Sequence, residues 1–179
     1  MNCPLCGYDN LPGSAECDVC GASLTQDDVP QAIANFERHL RDDAVSVLEP
    51  ATPLTARPNM PLDEAVATLR DASIGCLIVT KEDGEVVGLL SERDLLEKAA
   101  LEIADFSAGT VEGLMTRSPE TVQEHDPVAY ALQRMMVGDH RHLPVIDSAG
   151  RAVGVVSSRD VVQYIERVVA AARKEGAAA

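Results

Sequence analysis

The sequence predicts an α+β protein: two consecutive copies of a strand–helix–strand–strand–helix unit, behind a small four-cysteine element. Three observations lead there. The heptad GLLSERD at residues 88–94 returns as GVVSSRD at 154–160. Around it, residues 45–98 slide onto 111–164 without a gap and 14 of the 54 paired positions are identical, which marks a repeated unit rather than a repeated motif. Four of the five cysteines lie within the first 20 residues. The chain divides accordingly into a cysteine element at 1–26, a helical connector at 27–44, a first copy at 45–105 and a second copy with a C-terminal helix at 106–179.

Composition narrows the function. With 179 residues, 46% of them hydrophobic, the chain can bury one ordinary core and carry a small appendage. Aromatics are 3% and Trp is absent, so Val, Leu, Ile and Ala must fill that core. A net charge of −14 repels phosphate backbones and acidic membranes. No apolar run reaches the ~20 residues that span a bilayer. The opening MNCPLCG lacks a secretory leader pattern. A reducing cytoplasm is the expected setting.

Cys3, Cys6, Cys17 and Cys20 are spaced Cys-x2-Cys-x10-Cys-x2-Cys, and each pair precedes a glycine, in CPLCG and CDVCG. Such knuckles aim backbone N–H groups at the sulfurs, and Gly permits positive φ. Two knuckles converge on a tetrahedral four-thiolate site, the ligand set zinc prefers. The stretch resembles a zinc ribbon. Rubredoxin-type iron uses similar knuckles with a longer gap, and two disulfides would need an oxidising compartment. So short a segment cannot bury a core, so the metal must supply most of its folding free energy, on the order of 10–16 kcal/mol in zinc-finger peptides. Residues 1–26 hold Asp9, Glu16 and Asp18 but no Lys or Arg, the wrong charge for reading nucleic acid. A structural role, or docking to an unidentified protein partner, fits better.

In the connector, Asp28 is placed to cap a helix with Pro30 in its first turn. Ile33, Phe36 and Leu40 then recur at helical spacing and should rest on the body of the protein. Within the first copy, PLDEAVATLRDA (61–72) sets Leu62, Val66 and Leu69 on one helical face. In the second, Asp126-Pro127 reads as an N-cap followed by Pro at the first helical position. CLIVT (76–80) and VVGLL (86–90) are short apolar strands around a KEDGE turn, matched by HLPVI and AVGVV around DSAG. Ser-x-Arg-Asp then opens a helix in each copy. Strands apolar on both faces need cover on both sides, which one unit of ~55 residues cannot give alone. The two units must pack together.

These features resemble a tandem pair of CBS domains, the cystathionine-β-synthase type, also called a Bateman module. The resemblance rests on the TP-x-T and SP-x-T leads, on HLPVID at 142–147, and on Gly-x-x-Ser-x-x-Asp in both copies. It implies a pseudo-twofold unit whose cleft binds an adenosyl ligand such as AMP, ADP, ATP or S-adenosylmethionine, and which pairs into a homodimer. Ser91 and Ser157 would cap a helix and offer a hydroxyl to phosphate at the helix N-terminus. Asp94 and Asp160 would take the ribose hydroxyls. The preceding glycine would let the ligand approach the backbone. The same Ser-x-x-Asp is also a plain capping box.

The resemblance makes each site a mixture of the two copies. The Ser157/Asp160 site would hold its base against Leu54, Ile74, Gly75 and Cys76, with Arg141 or His142 near the phosphates. The mirror site at Ser91/Asp94 would use Glu120, His140, Arg141 and His142, where bulky histidines replace small residues. Of the two, the Asp160 site is favoured. Arg93 and Arg159 are further phosphate candidates. Cys76 also reads as a small core residue, and the two histidines as packing rather than metal ligands. No nucleophile–base pairing stands out, so an enzyme is not expected. Two readings remain: a nucleotide-sensing regulator with a docking ribbon, or a ligand-free dimerisation scaffold.

Overall fold

The computed structural model describes residues 3, 6, 8–11, 14–21, 24, 31–99 and 109–176. The expected cap at Asp28 and Pro30 lies outside them. Helix α1 (Gln31–Asp42) leads to a 3-10 turn at Val45–Leu48. The first copy then supplies β1 (Thr55–Ala56), α2 (Leu62–Ala72), β2 (Cys76–Thr80), β3 (Val86–Ser91) and α3 (Glu92–Asp94), which continues as a π-helical turn at Leu95–Ala99. The second supplies α4 (Val111–Leu114), β4 (Thr116–Arg117), α5 (Val128–Gly138), β5 (His142–Ile146), β6 (Ala152–Ser157) and α6 (Ser158–Gly176). Among the described residues no helix is long and apolar enough to cross a membrane.

Local chemistry accounts for these elements. The run CLIVT is buried along its whole length, with β1 parallel on one side and β3 antiparallel on the other. Each hairpin closes through a glycine in the left-handed region, Gly84 at φ 88° and Gly150 at φ 75°. Each slips register by one residue, between Val79 and Thr80 and between Val145 and Ile146. One expectation needs correcting. Helix α5 starts at Val128 with Pro127 in the cap position, and Asp126 instead accepts the Gln123 N–H at 2.7 Å, closing the turn before it.

The two copies are not self-contained. The lead of each one packs into the other. Val45 and Leu48 are buried with Val122, Val128, Leu143, Val145 and Val156, the core of the second copy. Val111, Leu114 and Met115 are buried with Leu62, Leu77, Val79 and Leu90, the core of the first. Backbone bonds follow the same exchange: Val45 N–H donates to the Asp126 carbonyl at 2.8 Å, and Val111 N–H to the Met60 carbonyl at 2.9 Å. Strand β4 adds to the free edge of β3, and Ala51 bridges to Val155 on the edge of β6. Each sheet is thus completed by the other copy's lead, which covers an edge that would otherwise be open. Cys76, Ile78 and Leu89 form a third small cluster with Ala152 and Val155, where the two copies meet.

The exchange explains the glycine of the heptad. Gly88 and Gly154 are buried, and each is pressed by the incoming lead. A Cβ on Gly88 would crowd the Met115 side chain; one on Gly154 would lie 2.8 Å from Pro50 Cβ and 3.4 Å from Val145 Cβ. The glycine makes room for protein rather than for ligand. Outside this frame, Leu40 of α1 packs on the second-copy core, and Tyr164 on α6 donates to Asp43 at 2.7 Å. That hydroxyl is held above its ordinary pKa by burial and by the Asp43 carboxylate.

Gly154→Ala is expected to destabilise the protein by about 1–3 kcal/mol through overpacking. Gly113→Ala on α4 has open space around its Cβ position, and should be neutral or stabilising by ~0.5–1 kcal/mol. Urea unfolding of both variants measures the contrast. Equal effects would show that the approach of Pro50 is not what requires glycine.

Candidate functional site

Both Ser-x-x-Asp segments form reciprocal caps. Ser91 Oγ accepts the Asp94 N–H at 3.3 Å, while Asp94 Oδ2 accepts the Ser91 N–H at 2.9 Å and its hydroxyl at 2.6 Å. Ser157 and Asp160 repeat the arrangement at 3.4, 2.7 and 2.8 Å. The next amide donates backward in each copy, Glu92 N–H to Gly75 and Ser158 N–H to Arg141. Each cap is thereby tied to the residue just before the first strand of its hairpin, β2 or β5.

Beyond the cap, the copies part. Asp94 is 7% exposed, and its second oxygen accepts the Thr116 hydroxyl at 3.0 Å. The residue equivalent to Thr116 is Pro50, which has no hydroxyl. Asp160 is half-buried, and its Oδ1 accepts no hydrogen bond among the described residues. The arginines diverge in the same direction. Arg93 grips Glu97 at 2.7 Å and, across the repeat boundary, Asp139 at 2.6 Å. Arg159 has Gln163 and Ser73 at those equivalent positions and forms no ion pair among the described residues.

A cleft of about 620 Å³ opens between the copies on the Asp94 side. Of the expected site residues it gathers Ser91, Arg93, Asp94, Gly75, Glu120, His140, Arg141 and His142; Leu54, Ile74, Cys76, Ser157, Arg159 and Asp160 are not in its wall. Glu120 is held by Arg134 at 2.6 Å. A Cβ on Gly75 would lie 2.8 Å from the His142 ring, so this imidazole fills the space the glycine leaves. Burial holds His142 below its ordinary pKa, while the Glu92 and Asp160 carboxylates pull the other way. Cys76 is buried, and burial pushes its thiol up to about 12, which makes it inert.

At the other end of the chain, the sulfurs of Cys3, Cys6, Cys17 and Cys20 all lie within 4.8 Å of one another. Cys3 and Cys20 are 3.6 Å apart and Cys6 and Cys17 3.5 Å. A tetrahedral ion with ~2.3 Å bonds sets its sulfurs ~3.8 Å apart, so the set fits such an ion. The Cys20 N–H, opposed by burial and helped by the Val19 N–H, holds the Cys17 thiol down at about 6. This is the knuckle effect expected from the spacing. The sequence reading missed Asn10. It is buried, donates to Cys17 Sγ at 3.6 Å and accepts the Asp18 N–H at 3.0 Å, and it also donates at 3.0 Å to the Tyr8 carbonyl, which accepts the Cys3 N–H. Outer partners of this kind fix the orientation of metal ligands.

The CBS domain family profile matches residues 45–101 and 111–167. The chain is a CBS-domain protein. Within the CBS pair, the profile's two segments are the two copies. An uncharacterized 17.7 kDa protein of Acidianus ambivalens is 34% identical over 109 residues, 61% of this chain and 65% of that protein. The L-aspartate semialdehyde sulfurtransferase of Methanocaldococcus jannaschii is 31% identical over 109 residues, 61% of this chain but 20% of the enzyme. The chain spans less than two thirds of the length of each. Among solved structures, a CBS domain protein from Pyrobaculum aerophilum complexed with AMP matches at 29% identity and TM-score 0.63, over 72% of this chain and 98% of that one. A CBS domain pair in complex with 5′-methylthioadenosine and S-adenosyl-L-methionine matches at 29% identity and TM-score 0.62, over 68% of this chain and 98% of that one.

The His142–Gly75 contact in the CBS pair predicts a pH dependence. A histidine whose folded pKa is depressed binds its proton less readily in the native state. Its contribution is complete above the ordinary value of 6.5 and is lost as pH falls below it. Melting temperature from pH 7.5 to 5.5 is expected to drop in wild type and to drop less in His142→Gln. Parallel curves would exclude His142 as the source.

Proposed function

We propose that this protein is a regulatory adenine-nucleotide sensor, with AMP, ADP or ATP bound on the Asp160 side of the CBS pair and zinc held by the four cysteines. One observation carries the nucleotide reading: among the described residues Asp160 has an uncommitted oxygen and Arg159 no ion pair, both in the first turn of a 19-residue helix. That combination suits a ribose diol and a phosphate together. The carboxylate accepts the diol in charge-assisted bonds. The Ser157 hydroxyl, the Arg159 guanidinium and the positive end of α6 receive the phosphate. Leu54, Ile74 and Cys76 offer the apolar wall an adenine needs. The AMP, S-adenosylmethionine and methylthioadenosine found in similar CBS structures support an adenosyl ligand.

The role is regulatory rather than catalytic. In the sulfurtransferase the matched stretch is a fifth of the enzyme, which leaves the chemistry to the remainder. Helix α6 joins the nucleotide end to the connector, since Tyr164 on that helix holds Asp43. The metal element carries exposed Asp9, Glu16 and Asp18 with no cation, which favours a protein partner over nucleic acid. Bound Zn²⁺ would supply the cross-link that a segment this short needs to stay folded. Exposed Met136 and Val137 on α5, with Val162 on α6, suit a homodimer contact. The net charge and the thiolate site suit a reducing cytoplasm.

Two experiments test this reading. Asp160→Ala is expected to weaken AMP at least tenfold, given ~1.5–3 kcal/mol per charge-assisted bond, and 2′-deoxy-AMP should bind wild type more weakly than AMP. If Asp160 only returns the cap, stability instead falls by about 0.5–2 kcal/mol and affinity holds. Elemental analysis should find about one zinc per chain, as a single tetrahedral site requires, and Cys17→Ser should lose it while the CBS core stays folded. A stoichiometric iron content, or no metal at all, would refute the zinc assignment.

A further inference from the structure

We propose that a recess on the second copy binds a guanidinium group, taken from outside the chain where the first copy supplies its own. The recess has a volume of about 450 Å³, and Val122, Gln123, Asp126, Tyr130 and Ile146 are in its wall. It lies at the last residue of β5, whereas the cleft holds His142, the first residue of that strand. It shares no residue with the cleft or with the expected Asp160 site.

The first copy shows what such a position holds. There Arg57 donates through Nη1 to the Thr80 carbonyl at 3.2 Å and to the Lys81 carbonyl, at the end of β2. The 66-residue offset puts Gln123 at the position of Arg57, and Ile146 and Asp147 at those of Thr80 and Lys81. The hairpins are otherwise alike: Gly84 N–H closes on the Lys81 carbonyl at 3.1 Å and Gly150 N–H on the Asp147 carbonyl at 3.0 Å. Among the described residues no side chain donates to the Ile146 or Asp147 carbonyl. The second copy keeps the acceptors and lacks the guanidinium.

Two further positions differ in the sense that would receive one from solution. Met60 has become Asp126, half-buried in the wall, and Glu64 has become Tyr130. One Asp126 oxygen accepts the Gln123 N–H at 2.7 Å, and the other accepts no hydrogen bond among the described residues. Arg134 feels the Asp126 carboxylate, but its charge is already answered by Glu120 at 2.6 Å. That same guanidinium lies over the Tyr130 ring, 4.8 Å from the centroid, so the ring already takes a group of this kind. An anion is disfavoured even though α5 begins here. Pro127 has no N–H, and the Val128 N–H is spent on the Asp43 carbonyl at 2.9 Å. A planar fork of donors suits a carboxylate and neighbouring carbonyls better than a single ammonium does.

The turn that would grip this ligand also holds the exchanged lead. The Asp126 carbonyl accepts the Val45 N–H at 2.8 Å, and the Glu124 carbonyl accepts the Ser46 N–H at 3.0 Å. Occupancy of the recess would therefore act on the contact that joins the two copies.

Amide-resolved NMR titration of the full chain tests the assignment. The probes are agmatine, an acetyl-Gly-Arg-Gly-amide peptide, and the same peptide carrying lysine or the neutral isostere citrulline. Both guanidinium probes should shift the amides of Gln123, Asp126 and Ile146. The citrulline peptide should bind about tenfold or more weakly, and the lysine peptide severalfold more weakly, since a net charge of −14 alone attracts any cation. Agmatine bound as tightly as the arginine peptide identifies a free small molecule as the source; a tighter peptide identifies an arginyl side chain. Asp126→Asn keeps an acceptor for the Gln123 N–H and should weaken both probes about tenfold. Gln123→Arg restores the internal guanidinium of the first copy and should abolish binding without lowering the melting temperature. Citrulline or lysine peptides that bind as well as arginine, or a Gln123→Arg chain that binds like wild type, would overturn the assignment. Wild type that binds neither guanidinium probe would overturn it as well.

Discussion

The exchange of leads between the two copies is the constraint on which the rest of the molecule depends. Val45 and Leu48 complete a core whose strands are about a hundred residues away, and Val111 and Leu114 complete the other. Full burial of a Val or Leu contributes roughly 1.5–3 kcal/mol, and here those contributions exist only when both copies are folded. Cooperativity follows from the topology. So does the position of the clefts. Because each lead crosses to the partner copy before returning to its own β2 or β5, Thr116 lies beside the Ser91–Asp94 helix, and Pro50 and Ala51 lie against β6. Thr116 touching Asp94 is one visible consequence. The cleft beside Asp94 is accordingly lined by residues of both copies.

Much of this was legible in the amino acids, and the parts that were not share a cause. The strands at 76–80 and 142–146 match the runs CLIVT and HLPVI, because continuous β-branched and apolar residues suit a strand buried on both faces. The reciprocal caps were readable from Ser-x-x-Asp, and the sulfur cluster from its spacing. The lead exchange was invisible, since a 66-residue offset pairs the same letters whether a lead packs on its own copy or on the other. Everything that follows from the exchange was hidden with it. The glycine of the heptad was assigned to ligand approach, whereas Pro50 and Met115 need the space. The capping role of Asp126 failed for a local reason, a competing turn at Gln123.

Identity between the copies also conceals a difference in their surroundings. Ser, Arg and Asp of the heptad are the same in both, and an alignment treats the two sites as equal. Their neighbours decide otherwise. Asp139 and Ser73 occupy the same left-handed helix terminus, φ 51° and 53°, yet only the first can hold an arginine across the boundary. Such a pair is exposed and contributes little to stability. Its effect is on availability, because Arg93 held by two carboxylates is a poor phosphate donor whatever the pair adds to folding.

Helix α6 connects the favoured nucleotide position to the rest of the chain. Its first turn is the Ser157–Asp160 cap, and about one turn further Tyr164 reaches the carboxylate of Asp43, just beyond the end of α1. On the next turn Arg167 holds Glu49 at 2.9 Å, in the lead that crosses into the second core. One element therefore carries the Ser157–Asp160 cap, the anchor of the connector and a hold on the exchanged lead. A ligand that draws Asp160 out of its cap acts on the N-terminus of that element, while the contacts that place α1 sit on its second and third turns. Exposed ion pairs and a single tyrosine hydrogen bond are weak restraints. Leu40 of α1, packed on the second-copy core, adds an apolar hold to them. The proposed Asp160 site and the end of the connector are therefore fastened to one helix, so a ligand that moved the first turn of α6 would act on the element that holds Asp43.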